Sequence, residues 1–231
     1  MTATIPPEDI KTYYDRLAVD YDTNRFGNSY GRFLDRQERR VLKRWLTRGE
    51  RERTLDLACG TGRLLAHAGQ GCDLSAAMLA EATRKAPETL LWQGDGCALP
   101  LRDGVLQTVF SFHLIMHLPP ETLSRIGREV WRVLEPGGTW IVDFPSARRR
   151  SFGRRADTPG WHGNSAYSCA SLLQRLPPFE LTKRTGLLFL PVHRVPQRIR
   201  PLLHPVDTLC CRLAPSWASY MAVCLRKPSS P

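Results

Sequence analysis

Residues 54–65 read TLDLACGTGRLL: an apolar run, then glycines at positions 60 and 62, then apolar residues again. Glycines at a strand-to-helix turn let a ligand lie against the backbone, and the start of the following helix offers free N–H groups to an anion. That chemistry suits a dinucleotide pyrophosphate and an amino-acid carboxylate equally. The pyrophosphate fingerprint needs a third glycine, and Leu65 stands in its place. Further on, "GCDLS" places Asp73 at a strand end, where a carboxylate can accept from both hydroxyls of a ribose. "QGDGCALPL" then offers Asp95 to an adenine amino group, with the N–H of Gly96 or Cys97 free to donate to a ring nitrogen. His113 and His117 follow the next apolar run, "VFSFHLIMHLP", and are the candidate proton-handling groups.

The elements that must position these residues alternate. Strands are expected at Thr54–Ala58, Gly71–Leu74, Leu90–Gly94, Thr108–Phe112 and Thr139–Phe144, with helices at Gly62–Ala68, Ala76–Lys85 and Glu121–Leu134. Leu123, Ile126, Val130 and Leu134 put one apolar face on the last helix, which begins after Pro119-Pro120 and stops at Pro136-Gly137-Gly138. Such alternation predicts a parallel, doubly wound α/β sheet. Ahead of it, "PPEDIKTYYDRLAVDYD" and "YGRFLDRQERRVLKRWL" have helical periodicity, the second strongly amphipathic. Behind it, residues 145–168 read as a long basic loop or lid, and strands at Phe179–Leu190 and Ser219–Leu225 predict a closing antiparallel pair. One domain in three parts is expected: a helical cap over 1–52, a ligand-binding core over 53–144, and a basic lid with the closing strands over 145–231.

Of 231 residues, 42% are hydrophobic and 24% charged, as in an ordinary globular protein, and no apolar run reaches membrane-spanning length. The seven cysteines form no CxxC pair, so neither a zinc site nor a disulfide framework is expected, and no carboxylate–histidine cluster argues for a catalytic metal. A cytoplasmic enzyme is the expectation. The net charge of +11 is unevenly placed: residues 1–52 carry +2, residues 53–143 carry −2, and residues 144–231 carry +11. Arginine outnumbers lysine 28 to 5. An excess on one segment suggests an anionic partner there, a small acid, RNA or a membrane surface, and a merely solvated exterior is the alternative.

"LDLACGTGRLL", "GCDLSAAML", "QGDGCALPL", "VFSFHLIMHLP" and "REVWRVLEPGG" follow one another as in class I S-adenosylmethionine (SAM)-dependent methyltransferases. Their texture resembles the ubiquinone/menaquinone-biosynthesis-like small-molecule group, over about residues 11–143. The resemblance implies a Rossmann-like seven-stranded sheet with an antiparallel last strand, and SAM lying across the carboxyl ends of the first four strands. It implies that Asp56, Ala58, Gly60 and Gly62 hold the methionine part, Asp73 the ribose, and Asp95, Gly96 and Cys97 the adenine edge. Leu74 and Met78 would pack the adenine faces, and Ser111 would also belong to the cofactor site. Tyr14 and Tyr21 resemble tyrosines that close over the cofactor, and Arg25 is a candidate for the methionine carboxylate. His113, His117 and Tyr21 are the candidate catalytic groups; His113 is the better base, and His117 reads more readily as structural. Trp161, His162 and the arginines 148, 149, 150, 154 and 155 are candidate substrate contacts. Ala58 stands where the motif's first glycine is expected and costs little there if its φ is negative. The short Asp56–Asp73 interval implies a clipped helix or strand between them, and Gln107 replaces a common aspartate. The expected reaction is metal-independent methyl transfer to O, N or C of a small molecule. RNA methylation through the basic third and NAD(P)-dependent oxidation are the alternatives.

Overall fold

The computed structural model describes residues 7–47, 49, 51–152 and 165–229. Helices α1 (Pro7–Leu17), α2 (Tyr21–Phe26) and α3 (Ser29–Trp45) precede strand β1 (Thr54–Leu57). Then come β2 (Gln70–Asp73), α4 (Ala76–Lys85), β3 (Leu90–Gln93), β4 (Leu106–Ser111), α5 (Pro120–Val133) and β5 (Leu134–Pro145). Short helices α6 (Ala147–Ser151) and α7 (Cys169–Leu173) lead to β6 (Glu180–Leu187), α8 (His204–Leu213) and β7 (Tyr220–Arg226).

The seven strands form one sheet in the order β3-β2-β1-β4-β5-β7-β6. The first five run parallel, and β7 lies antiparallel between β5 and β6. Alternation along the central strands splits the core between the two faces. Val109, Trp140, Val142, Met221, Val223 and Leu225 pack towards α5 with Leu123, Ile126 and Val130. Phe110, Ile141, Ala222 and Cys224 pack instead with Phe33, Leu34, Val41 and Leu42 of α3. Order reverses between β1 and β4, the switch point at which ligands of open α/β sheets bind outside the strand ends.

Three local expectations are corrected. No α-helix follows the glycine turn: residues 58–64 are turn, and Leu65–His67 form a single 3-10 turn. The parallel β1–β2 ladder pairs Leu55 with Gln70 and Leu57 with Cys72, so the crossover from the end of β1 to the start of β2 must return within residues 58–69. Gly69 ends it, its N–H donating to the carbonyls of Arg51 and Thr54 at 2.6 and 3.2 Å. Ala58 does not have a negative φ: it sits at +61°, which ends β1 one residue early. Within the expected loop 145–168, residues 147–151 are helical and Ser146 bridges Tyr167; Arg154, Arg155, Trp161 and His162 lie outside the described residues.

Candidate functional site

A cavity of about 330 Å³ opens at the carboxyl ends of β1, β2 and β4, beneath α1. Of the residues singled out from the sequence, Tyr14, Tyr21, Ala58, Gly60, Asp73, Leu74, Met78, Asp95, Gly96, Cys97, His113 and His117 line it. Asp73 is its fixed acceptor. One carboxylate oxygen takes the Gly60 N–H at 2.7 Å, a bond made possible by the +54° φ of that glycine, and the other takes the Ser75 N–H at 2.9 Å. Burial raises the Asp73 pKa, and these backbone donors work against that rise. Each oxygen keeps a lone pair for a further donor, as a ribose diol requires.

Asp95 behaves differently from expectation in one respect. Its Oδ1 already accepts the Cys97 N–H at 2.8 Å, closing an Asx turn. Cys97 is therefore spent, and Gly96 retains the N–H that can face a ring nitrogen. Apolar Leu74, Met78, Leu118 and Ile126 complete that part of the wall.

Four of the expected residues do not line the cavity. Ser111 is fully buried in β4, where its hydroxyl accepts the Trp140 indole N–H at 3.2 Å. Asp56 is buried in β1, and burial pushes its pKa up to about 8. Gly62 is buried behind the turn at φ +79°, where a side chain would meet Ala82 at 3.0 Å; its role is close packing of the turn on α4. Arg25 is exposed on α2 outside the cavity wall, although its charge acts on Tyr14 and Tyr21.

The roof is held by polar contacts that sequence reasoning missed. The Ser75 hydroxyl donates to Asp15 of α1 at 2.5 Å, and Lys11 pairs with the same carboxylate at 2.7 Å. The Tyr14 hydroxyl meets His117 Nε2 at 3.0 Å. Thr61 donates to Asp22 at 2.5 Å, and Lys85 pairs with that aspartate. Burial raises the pKa of both Tyr14 and Tyr21, so these phenols keep their protons and serve as donors and ring faces, not as bases.

His113 belongs to a buried charge cluster that was also missed. Its Nε2 meets Glu38 Oε1 at 2.7 Å, and Arg63 donates to Glu38 Oε2 at 2.6 Å and to Asp35 at 2.5 Å. Asp143 Oδ1 accepts the backbone N–H of His113 at 2.6 Å, which holds that residue at φ +61°. Its Nδ1 is buried 3.8 Å from Asp143 Oδ2. Burial alone would lower the His113 pKa, but the Glu38 and Asp143 carboxylates outweigh it and raise it. Burial pushes Asp143 up to about 6 against the pull of His113. With one ring nitrogen held by Glu38 and the other buried beside Asp143, neither is offered to a ligand. His113 shapes the wall and fixes charge there.

The sheet order, the reversed seventh strand and the glycine turn feeding Asp73 define the class I methyltransferase fold. A SAM-dependent methyltransferase structure from Thermotoga maritima, described as a possible histamine N-methyltransferase, superposes with a TM-score of 0.70 at 18% identity, over 94% of this chain and 99% of that one. More particularly, residues 55–142 match the family model described as "Methyltransferase domain". The chain is 32% identical over 142 residues to a demethylmenaquinone methyltransferase of Beutenbergia cavernae, covering 59% of this chain and 58% of the relative. It is 31% identical over 152 residues to a 2-phytyl-1,4-naphtoquinone methyltransferase of Thermosynechococcus vestitus, covering 59% and 64%. It thus spans about three-fifths of the length of the relatives it matches.

Proposed function

We propose that this protein is a SAM-dependent methyltransferase acting on a small, quinone-type aromatic acceptor. One observation carries the reading: at the switch point, an aspartate with both oxygens fixed by backbone donors faces an apolar slot roofed by tyrosines. Asp73 would hold the ribose, Asp95 and the Gly96 N–H the adenine edge, and Leu74 and Met78 its faces. The turn at Ala58–Gly60 would face the methionine part, with no phosphate involved. The quinone class rests on the naphthoquinone-methylating relatives and on the aromatic wall of Tyr14, Tyr21 and Phe112. A reducing, cytoplasmic compartment suits the seven free cysteines.

When bound, SAM supplies an electrophilic methyl carbon whose bond to sulfur breaks as the acceptor's new bond forms. The protein's share is alignment and exclusion of water. Tyr14, held by His117, and Tyr21 close the cavity from above, and the neutral ring faces of both suit a cationic sulfonium. His113, locked between Glu38 and Asp143, positions the far wall beside Tyr220, whose ring lies 5.7 Å away. No proton is assigned to His113 as base, because a ring nitrogen must reach the proton it takes.

The test is calorimetric titration with SAM and with NAD(P), followed by transfer of labelled methyl to a reduced naphthoquinone and, separately, to total small RNA. SAM binding with label in the naphthoquinone supports the reading. Binding of NAD(P) alone, or label only in RNA, overturns it.

A further inference from the structure

Helix α8 has its amphipathicity inverted. It buries His204, Asp207 and Cys211, and leaves Val206, Leu209 and Leu213 with 52%, 56% and 76% of their surface exposed. The 3-10 turn before it adds Leu202 at 74%, so the exposed residues recur at helical spacing as one apolar stripe. The inward polar groups explain half of this arrangement. Asp207 accepts from Gln37 Nε2 at 2.5 Å and from the Leu190 N–H at 2.7 Å, and His204 stacks on Phe33 at 3.7 Å between ring centres. Those bonds hold the helix in this orientation with its leucines outward. Nothing within the described chain covers them.

Beside the stripe lies a cleft of about 420 Å³ between α3, β6 and α8, lined by Arg40, Arg44, Lys183 and Arg212, with Trp45 at its edge. No acidic side chain among the described residues lines it. Arg40 is tied to Thr208 of α8 at 2.7 Å, which couples the cationic rim to the helix that carries the leucines. Lys183, Arg184 and Arg212 of the basic C-terminal third thus gather with Arg40 and Arg44 beside an apolar stripe, a neighbour that a solvated exterior does not require.

We propose that this face docks on an anionic membrane surface, with the α8 leucines entering the headgroup–acyl boundary and the arginines meeting lipid phosphates. Apolar insertion and cationic attraction together are the two signals that stable peripheral binding needs. RNA would use the cations but has no partner for an exposed leucine stripe, and a second copy of the chain would set like charges against each other. Arg200, just before Leu202, donates to Ser29 at the start of α3 at 2.6 Å, which ties the first turn of the stripe to the N-terminal helices. On the function proposed above, a lipid-borne acceptor would then meet the protein at the bilayer.

The experiment is flotation of the full chain with phosphatidylcholine vesicles, with and without phosphatidylglycerol, at low and high salt. Binding that needs phosphatidylglycerol, weakens with salt, and falls at least roughly tenfold both in the double variant Leu209→Asp/Leu213→Asp and in Arg40→Glu/Arg44→Glu supports the proposal. SAM-induced thermal stabilisation is read on the same samples and should be unchanged, since neither pair touches the cavity. That readout separates failure of docking from failure of the methyltransferase reading. No binding by the parent protein overturns the proposal. So does binding indifferent to the leucine substitutions, RNA binding that only the arginine substitutions abolish, or self-association in sedimentation equilibrium that Leu209→Asp removes while vesicle binding is absent.

Discussion

Replacing Asp73 by Asn separates cofactor recognition from folding. In the parent the carboxylate receives backbone N–H groups from Gly60 at 2.7 Å and Ser75 at 2.9 Å, and its remaining lone pairs face the cavity. A hydrogen bond to a charged acceptor is worth about 1.5–3 kcal/mol, so two bonds from a ribose diol weakened to neutral or lost should cost about 3 kcal/mol. At 1.4 kcal/mol per decade that is roughly a hundredfold rise in Kd for SAM. Stability should move much less, by about 1 kcal/mol or under. Burial already raises the Asp73 pKa, so the amide relieves a desolvation cost while forfeiting one backbone bond. Calorimetry with S-adenosylhomocysteine and its 2′-deoxyribose analogue closes the argument. The parent should discriminate between them, and Asp73→Asn should not. An equal penalty for the deoxy analogue in both proteins would refute the placement of the ribose at Asp73, as would a Kd within about fivefold of the parent.

Two further outcomes concern the strained and charged positions. Ala58 at φ +61° carries left-handed strain of about 1–2 kcal/mol, and glycine adds about 0.4–1 kcal/mol of unfolded-state entropy. Ala58→Gly should therefore raise the urea midpoint by the equivalent of about 0.5–1 kcal/mol at unchanged slope, and a lowered midpoint would count against the strain. The Glu38–His113 pair gives a pH profile with a defined sign. His113, raised from 6.5, contributes stability that is full below 6.5 and lost as pH rises through its folded value. Glu38, lowered from 4.5 because His113 and Arg63 outweigh its burial, contributes stability that is full above 4.5 and lost as pH falls through its folded value. The contribution of this pair is fullest between 4.5 and 6.5. Buried Asp143, raised to about 6, and buried Asp56, raised to about 8, also lose stability as pH rises from 3.8 through those values, so the comparison with His113→Gln is the informative one. The variant should lose the His113 part of the decline above 6.5 while the Asp56 part remains, and a curve parallel to the parent's would remove His113 as a source.

The parallel core and about half of the cavity wall were legible because each rests on a local pattern. Apolar runs of strand length, a 10-residue amphipathic α4, and acceptors at successive strand ends are all visible within a few residues. The crossover after β1 was misread because the apolar spacing of Leu64 and Leu65 mimics a helix start, whereas the geometric limit lies in the β1–β2 register. The His113 cluster was missed because α3, the glycine turn and β5 supply its members from distant positions. Two signals did exist. Glu38 falls on the apolar stripe of α3 between Leu34 and Val41, and Asp143 interrupts the run Trp140–Phe144. A charge on a buried face announces a partner, but it does not say which.

The contacts also grade the N-terminal helices from lid to scaffold. Among its described side chains α1 has none fully buried, and it is held to the body by Tyr14–His117 and Asp15–Ser75. Two part-exposed polar bonds net about 1–3 kcal/mol, so α1 should open in roughly one molecule in ten to one in a hundred without cofactor. α2 adds the Asp22–Thr61 bond, the Asp22–Lys85 pair and Phe26 beneath the Arg63 guanidinium at 4.0 Å. α3 is different in kind: four large apolar side chains are buried, at about 1.5–3 kcal/mol each, and Asn28 caps its first turn through the Gly31 N–H at 2.9 Å. Hydrogen exchange should therefore rise in order from α3 through α2 to α1, and SAM should slow α1 most because the tyrosines it carries roof the cavity. Tyr14→Phe removes one latch and should speed α1 exchange about fivefold while leaving α3 unchanged. If α1 and α3 exchange together in the cofactor-free protein, the N-terminal helices move as one body, and the latches at Ser75 and His117 do not gate the site.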